Sequence, residues 1–252
     1  MRYSLLGLVL ATLTSTFAFA ASGTPMDEIA YTKHNFAIGP YASVLATDGA
    51  GHAVTMCQPC HTPHHAIVDA NISTVLWNHA ISTATYTLYD GNSYGYTAGT
   101  PDTQAMDQVS RLCLSCHDGT VALDAFGTKA NNYSRVGTSG AMMSASDVNN
   151  LGTDFKDDHP VGALAVYVTS AGVLKDGYKA PAAGTDAGAY GTSVKNSAGT
   201  SVSLQKMATN GNLVVGCKTC HNPHGKGLSS GNPFPYLLRT APVDLCLTCH
   251  YK

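Results

Sequence analysis

The chain has 252 residues, of which only 12% are charged, and its formal net charge is −2 at pH 7. No basic tract is present, so this composition excludes a protein that binds nucleic acid through phosphate contacts. Six phenylalanines and one tryptophan are also few for this length, so a core built from side chains alone would be thin. A bound apolar group is therefore expected to fill part of the interior.

The first element in chain order is a predicted signal peptide over residues 1–20. A basic start at Arg2 precedes an apolar run over 5–13, and Ala-Phe-Ala at 18–20 has the small-x-small pattern of a cleavage site. The apolar run is shorter than the roughly 20 residues that span a membrane, although an uncleaved anchor is the alternative. Cleavage leaves a mature chain over 21–252 with no membrane span, secreted to the outer cell surface or, alternatively, held in the periplasm.

All eight cysteines lie in four copies of the motif Cys-x-x-Cys-His. In this motif two thiols form thioethers to a haem edge and the histidine binds the iron as its fifth ligand. A disulfide framework, a redox dithiol or a zinc site would not explain the histidine in every copy. We therefore predict four covalently attached haems c, numbered in chain order. Their residues are Cys57, Cys60 and His61; Cys113, Cys116 and His117; Cys217, Cys220 and His221; Cys246, Cys249 and His250.

The four motifs form two similar pairs. Each pair opens with the pattern CxxCHxPH and closes with LCLxCH. We therefore predict two haem-pair modules, over 57–117 and 217–250, with neighbouring and stacked haems inside each pair. The first module carries a long insertion, roughly 66–110, whereas a short Gly/Pro-rich link joins the two motifs of the second.

Residues 118–215 lie between the modules and contain no haem motif. Frequent glycines make long helices unfavourable here, and a flexible linker is one interpretation. Five aromatic residues give the segment enough apolar surface to pack, so we favour ordered loops and hairpins with strand-like pieces over 161–169 and 213–215. The aromatic residues are Tyr133, Phe155, Tyr167, Tyr178 and Tyr190.

The predicted fold is mostly irregular, with short helices and a few short strands. Helical turns are expected at the haem motifs and around residues 106–112. A single domain over 21–252 would wrap around a chain of four haems, and haem attachment would be coupled to folding.

Seven further histidines are available as sixth iron ligands: His34, His52, His64, His65, His79, His159 and His224. Four of them are enough to make every haem bis-histidinyl, so no iron need be open to a substrate. This count argues against a haem enzyme and for an electron carrier. Methionine would raise the reduction potential, but none of the seven methionines repeats with the haem motifs.

The best distal candidates are the two duplicated histidines. His64 and His224 each follow a proximal histidine by three residues, a spacing too short for both rings to face each other across one iron. We therefore expect each to bind the partner haem of its own module, His64 on the second haem and His224 on the fourth.

The first and third haems then take their ligands from His34, His79 and His159, while His52 and His65 are weaker candidates. Each of the three could instead be an ordinary polar histidine. Five good candidates for four positions leave one surplus. His34 lies near the mature N-terminus, so we hypothesise that it reaches a neighbouring subunit.

Several stretches carry a resemblance to a known family: KHNF, CQPCHTPH, LWNH, LCLSCHDGTVALD and HPVG. Together they resemble the multihaem c-type cytochromes of metal-reducing bacteria, and most closely the OmcE type of outer-surface tetrahaem cytochrome. The resemblance covers about 32–161 and resumes at Cys217, leaving 169–212 without a counterpart. It implies extracellular filaments with a continuous haem chain, bis-histidine ligation that includes His34, His79 and His159, and an axial histidine donated between subunits.

The leading interpretation is therefore a filament-forming electron conduit. Upstream periplasmic or outer-membrane cytochromes would feed it, and external acceptors would receive the electrons. A soluble monomeric shuttle in the periplasm is the alternative, and would show an exposed haem edge and no donated ligand. A multihaem reductase is the third possibility, and would require a high-spin haem with an open iron.

Overall fold

The computed structural model describes residues 29–30, 32–37, 56–64, 66–67, 75–89, 106–127, 141–182, 191–197, 199, 201–225 and 237–251. The predicted signal peptide, His52, His65, Tyr133 and Tyr190 lie outside these residues. Turns, bends and irregular backbone make up most of the described part. The prediction of a mostly irregular single domain is confirmed.

The α-helices that lie wholly within the described part all carry haem motifs, as expected. They are α1 (Gln108–His117), α2 (Cys217–Cys220) and α3 (Pro242–Cys249), and one 3₁₀ turn covers Gly162–Leu164. Asp107 caps α1 by accepting hydrogen bonds from the amides of Val109 and Ser110 at 3.1 and 3.0 Å. In contrast, α3 begins at a proline after Ala241, whose side chain makes no capping bond.

The strands of the described part are short and form three small sheets. The strands are β1 (Thr87–Leu88), β2 (Asp154–Phe155), β3 (Val166–Val168), β4 (Ser193–Lys195), β5 (Ser201–Ser203), β6 (Gln205–Lys206) and β7 (Leu213–Val214). β1 pairs with β2 in parallel, β4 pairs with β5 antiparallel, and the third sheet has the order β3-β7-β6. The strand-like pieces predicted over 161–169 and 213–215 are confirmed as β3 and β7, which pair antiparallel.

The haem-free segment has an apolar core of its own. Tyr167, Val194 and Val202 are fully buried within it, and the ring of Tyr178 stacks on Tyr167 with 4.6 Å between the ring centres. Leu245 of α3 packs against the same cluster. In its described part, the segment is therefore ordered as predicted and supports the last haem motif.

A second cluster surrounds α1. Leu114 is fully buried and packs with Tyr86, Leu88, Met106 and Phe155, which come from the insertion of the first module and from β2. The haem-free segment thus contributes to the packing of both modules.

The two modules pack directly against each other through α1 and α2. The amide of Cys217 donates a hydrogen bond of 2.9 Å to the hydroxyl of Ser110. A Cβ atom at Gly216 would collide with the carboxylate of Asp107, so the close approach requires glycine at this position. No helix among the described residues is long and apolar enough to span a membrane.

The duplication extends beyond the motifs. Leu76 and Leu237 both have positive φ angles, 55° and 59°, and each carbonyl accepts from the residue after a motif histidine, Thr62 at 2.9 Å and Asn222 at 2.8 Å. Residues 76–78 therefore correspond to 237–239. This corrects the predicted insertion over 66–110, because residues 76–78 inside it have counterparts in the second module.

Candidate haem-binding sites

Each haem motif is folded as one helical turn that brings its two cysteines and its histidine together. The amides of His61, His221 and His250 donate to the carbonyl four residues earlier at 2.8, 3.0 and 3.0 Å. The fourth motif histidine, His117, is the last residue of α1. A hydrogen bond over four residues closes a single turn, so the local backbone alone sets this arrangement.

Three of the motif histidines face a second histidine from a distant part of the chain. The ring centres of His61 and His224 lie 6.0 Å apart, and those of His34 and His117 also lie 6.0 Å apart. The rings of His159 and His250 are separated by 6.4 Å. Each pair joins residues that are 83 or more positions apart in sequence, so tertiary packing creates the arrangement.

These separations suit an iron ion held between two imidazoles. A metal–nitrogen bond of about 2 Å on each side leaves roughly 6 Å between the ring centres. Among the described residues, no group of three or more His, Cys, Asp or Glu side chains could hold a metal ion. Two axial protein ligands are what a haem iron takes, since the porphyrin supplies the other four. The donor set therefore fits haem, and each motif would hold it through two thioethers.

The histidines also present the correct nitrogen. In five of them Nδ1 lies at hydrogen-bond distance from a backbone carbonyl, which can only accept, so Nδ1 carries the proton and the lone pair is left on Nε2. Metal-binding histidines are typically oriented in this way. The bonds are His61 to Val75 (2.7 Å), His79 to Ala80 (2.8 Å), His117 to Asn149 (2.9 Å), His159 to Pro160 (3.0 Å) and His34 to Pro223 (3.1 Å).

Burial keeps two of the distal candidates in the neutral form that binds metals. Burial lowers the pKa of His34, against the opposing effect of its bond to Pro223. Burial likewise lowers the pKa of His79, whose side chain is almost fully enclosed. A neutral imidazole keeps the lone pair that an iron needs.

Three of the five distal candidates lie at other motifs than the sequence predicts. His224 faces His61 of the first motif rather than His250 of the fourth, and His34 faces His117 of the second motif. The reason is the packing of α2 against α1, which places the turn after His221 beside the first module. The carbonyl of Pro223 in that turn also binds His34. That His34 reaches a neighbouring subunit stays a prediction.

The remaining three distal candidates lie in different surroundings. His159 faces His250 of the fourth motif, although we expected it at the first or third haem. His79 is buried, and its Nε2 lies 3.6 Å from Sγ of Cys116 in the second motif. His64 is solvent-exposed, and His34 lies beside the second motif, where His64 was predicted.

The cysteines follow one another in space in the order of the sequence. Cys60 of the first motif lies close enough to the second-motif cysteines to interact with them electrostatically. The side chains of Cys113 and Cys217 of the third motif lie close enough to interact with each other. Cys220 interacts in turn with both cysteines of the fourth motif, and burial is the main reason that its pKa rises to about 11. Neighbouring motifs are thus spatial neighbours throughout.

The structure also reveals polar residues that the sequence analysis missed. The indole N–H of Trp77 is buried without an acceptor among the described residues, and its ring lies edge-on to His61 at 6.3 Å. A bound haem carries carboxylates that could accept such a bond. Asp118, directly after His117, is buried in a hydrogen-bond network with Ser82 and Tyr86. The sequence signal for Asp118 is that an aspartate follows only one of the four motifs.

Comparison with known families supports this assignment for the second module. Residues 210–252 match the family described as a doubled CXXCH motif. The doubled motif indicates a multihaem c-type cytochrome. A chain of this kind is indicated to transfer electrons rather than to catalyse a reaction, with covalently attached c-type haem as its cofactor. A search of curated proteins finds no match to the chain.

Proposed function

We propose that the chain is a tetrahaem cytochrome c that carries electrons along four bis-histidine haems. The observation that carries this proposal is the set of three facing histidine pairs, each with one motif histidine and a separation of 6.0–6.4 Å. Every cysteine also lies in a complete haem motif. An imidazole on each side of the iron leaves no position for a substrate, which favours electron transfer.

Each bound haem would supply an iron that cycles between the ferrous and ferric states. Hydrogen bonds from Nδ1 to backbone carbonyls would orient His61, His159, and both His34 and His117 toward the bound group. Fixed ligands keep the geometry similar in both oxidation states, and two histidines favour a lower potential than a histidine and a methionine.

The order of the cysteines supports a continuous electron path. Contacts run from the first motif to the second, from Cys113 to Cys217, and from Cys220 to the fourth motif. We infer that electrons pass through the haems in sequence order, entering and leaving at the first and fourth motifs.

We further propose that the chain polymerises into filaments on the outer cell surface. The resemblance to outer-surface cytochromes supports this, and so does the exposed His64, which could bind a haem of a neighbouring subunit. Upstream periplasmic or outer-membrane cytochromes would then supply electrons, and external acceptors would take them up.

A soluble periplasmic shuttle is the second candidate. The ring of His34 faces His117 within one chain, and this pair favours the shuttle because it needs no neighbouring subunit. Both candidates use the same haems and differ in assembly and in whether His64 binds a haem of a neighbouring subunit.

Haem content and ligation test the first proposal. The holoprotein is purified from an export-competent host, and haem is quantified by pyridine haemochrome against protein concentration. Four haems per chain and an entirely low-spin spectrum are expected. Three or fewer haems, or a high-spin signal in the native protein, would contradict the proposal.

Imaging tests the filament. Protein sheared from cells and purified without denaturant is examined by cryo-electron microscopy, alongside the His64→Ala and His34→Ala variants. If His64 is donated, its loss should abolish filaments, whereas the loss of His34 should create one high-spin haem in each chain. Uniform single particles from the native protein would instead support the shuttle.

A further inference from the structure

The second haem motif is followed by a buried carboxylate with an unusually complete set of hydrogen-bond donors. Asp118 is 4% exposed and forms the C-cap of α1. Its Oδ2 accepts from the hydroxyls of Ser82 at 2.5 Å and Tyr86 at 2.7 Å. Its Oδ1 accepts from the amide and the hydroxyl of Thr120, both at 2.8 Å.

Four donors match the capacity of an ionised carboxylate, which accepts about four hydrogen bonds and donates none. Tyr86 is itself buried, and its burial is the main cause that raises its pKa, so its hydroxyl stays protonated and keeps donating. The network therefore holds a negative charge in the interior, next to His117.

Other charged groups near α1 do not cancel this charge. Arg111 is a cation on α1, and its guanidinium donates to the carbonyl of Ser82 at 3.4 Å. Two more aspartates are buried in the same region, Asp107 at the start of α1 and Asp124 after its end. Burial raises the pKa of Asp107, so the negative charge beside His117 is assigned to Asp118 alone.

The corresponding helix of the second module lacks this arrangement. α3 ends at Cys249, followed by His250 and then by Tyr251, which is 67% exposed. The two modules therefore place similar motif histidines in different electrostatic surroundings.

We propose that Asp118 lowers the reduction potential of the second haem, so that this haem is harder to reduce than the fourth. The inference rests on the proposed function, because it requires a haem at the second motif. A buried negative charge stabilises the more positive ferric iron, and the low dielectric of the interior makes the effect larger than it would be in water. Asp118 would act through the electric field of its charge at the iron, and it is not an iron ligand.

The test is a spectroelectrochemical titration of the holoprotein and of the Asp118→Asn variant. Asparagine keeps the size of the side chain and removes its charge. The reduction potential of one of the four one-electron components should rise by about 59 mV in the variant. This shift corresponds to a tenfold change in the equilibrium constant of a one-electron reduction. The other three components should stay in place.

The matched control is Asp157→Asn. Asp157 lies two residues before His159 but is solvent-exposed, so water and salt screen its charge. No component should move in this variant. If all four components of Asp118→Asn coincide with those of the native protein, the proposal is overturned.

A second variant covers the case in which Asp118→Asn does not fold. Tyr86→Phe keeps the charge of Asp118 and removes one donor that partly offsets it, so the same component should move to lower potential. A rise or no change would overturn the proposal. Failure of the proposed function would look different, because the native protein would then lack four haems or reversible components altogether.

Discussion

The two haem-pair modules share their local structure and differ in what surrounds it. In both, a hydroxyl inside the second motif bonds the carbonyl four residues earlier: Ser115 to Arg111 at 2.8 Å and Thr248 to Asp244 at 2.7 Å. The burial differs, however. Leu114 is 0% exposed in α1, whereas its counterpart Leu247 in α3 is only partly buried.

The difference arises from the chain inserted into the first module. Tyr86, Leu88 and Met106 belong to this insertion and cover α1, while α3 lies at the edge of the haem-free cluster. The motif thus sets the geometry of a single haem turn, and the insertion decides how deeply that turn is enclosed. Enclosure should control both the stability and the potential of each haem.

The largest expected effect comes from removing whole haem attachments. Cys113→Ser with Cys116→Ser should destabilise the protein by more than about 4 kcal/mol, because the haem of an enclosed helix is lost. Cys246→Ser with Cys249→Ser should have a smaller effect, since Cys246 is exposed. Thermal unfolding followed by circular dichroism measures both. Equal losses of stability in the two double variants would contradict the difference in enclosure between the two modules.

The next effect concerns the apolar packing of the two helices. Leu114→Ala should cost about 2–5 kcal/mol, because it leaves a cavity in a closed cluster. Leu247→Ala should cost less than half as much, since its side chain is partly exposed. Denaturant unfolding of the two holoproteins gives both values, and a larger loss at Leu247 would contradict the comparison.

Removing the aspartate at the start of the helix should also destabilise the first module more than the second. Asp107→Ala should cost about 1–2 kcal/mol, because Asp107 caps α1 and also accepts from the hydroxyl of Ser110 at 2.5 Å. Asp244→Ala, in the exposed first turn of α3, should stay within about 0.5 kcal/mol of the native protein. A comparable loss of stability in both variants would show that Asp107 stabilises α1 no more than Asp244 stabilises α3.

The smallest expected effect is an increase in stability. α3 lacks a side-chain cap at Ala241, so Ala241→Ser should raise the free energy of unfolding by about 0.5–1 kcal/mol. Ala241→Val is the control, since valine cannot accept the bond and should bring no gain. If serine is no better than valine, the start of α3 does not limit stability.

Much of the local structure could be predicted from the sequence. Helical turns at the motifs follow from short-range spacing, and β3 and β7 follow from local strand preference. The bond that turns Nδ1 of His79 toward a carbonyl is also local, since the acceptor is the next residue.

The pairing of histidines could not be predicted in the same way. It depends on the approach of α2 to α1, which is set by Gly216, Ser110 and the capping residue Asp107. These contacts join positions more than 100 residues apart, and no short pattern contains them. The sequence spacing of His64 and His224 suggested pairing within a module, whereas the packing brings His224 to the other module.

The most direct test of the account is a density map of the holoprotein that resolves the imidazole rings. The account predicts iron between His61 and His224, so that a residue of the second module binds the haem of the first. The same map should show His34 opposite His117 and His159 opposite His250. Iron of the fourth haem bound to His224 would contradict the cross-module pairing and restore ligation within each module.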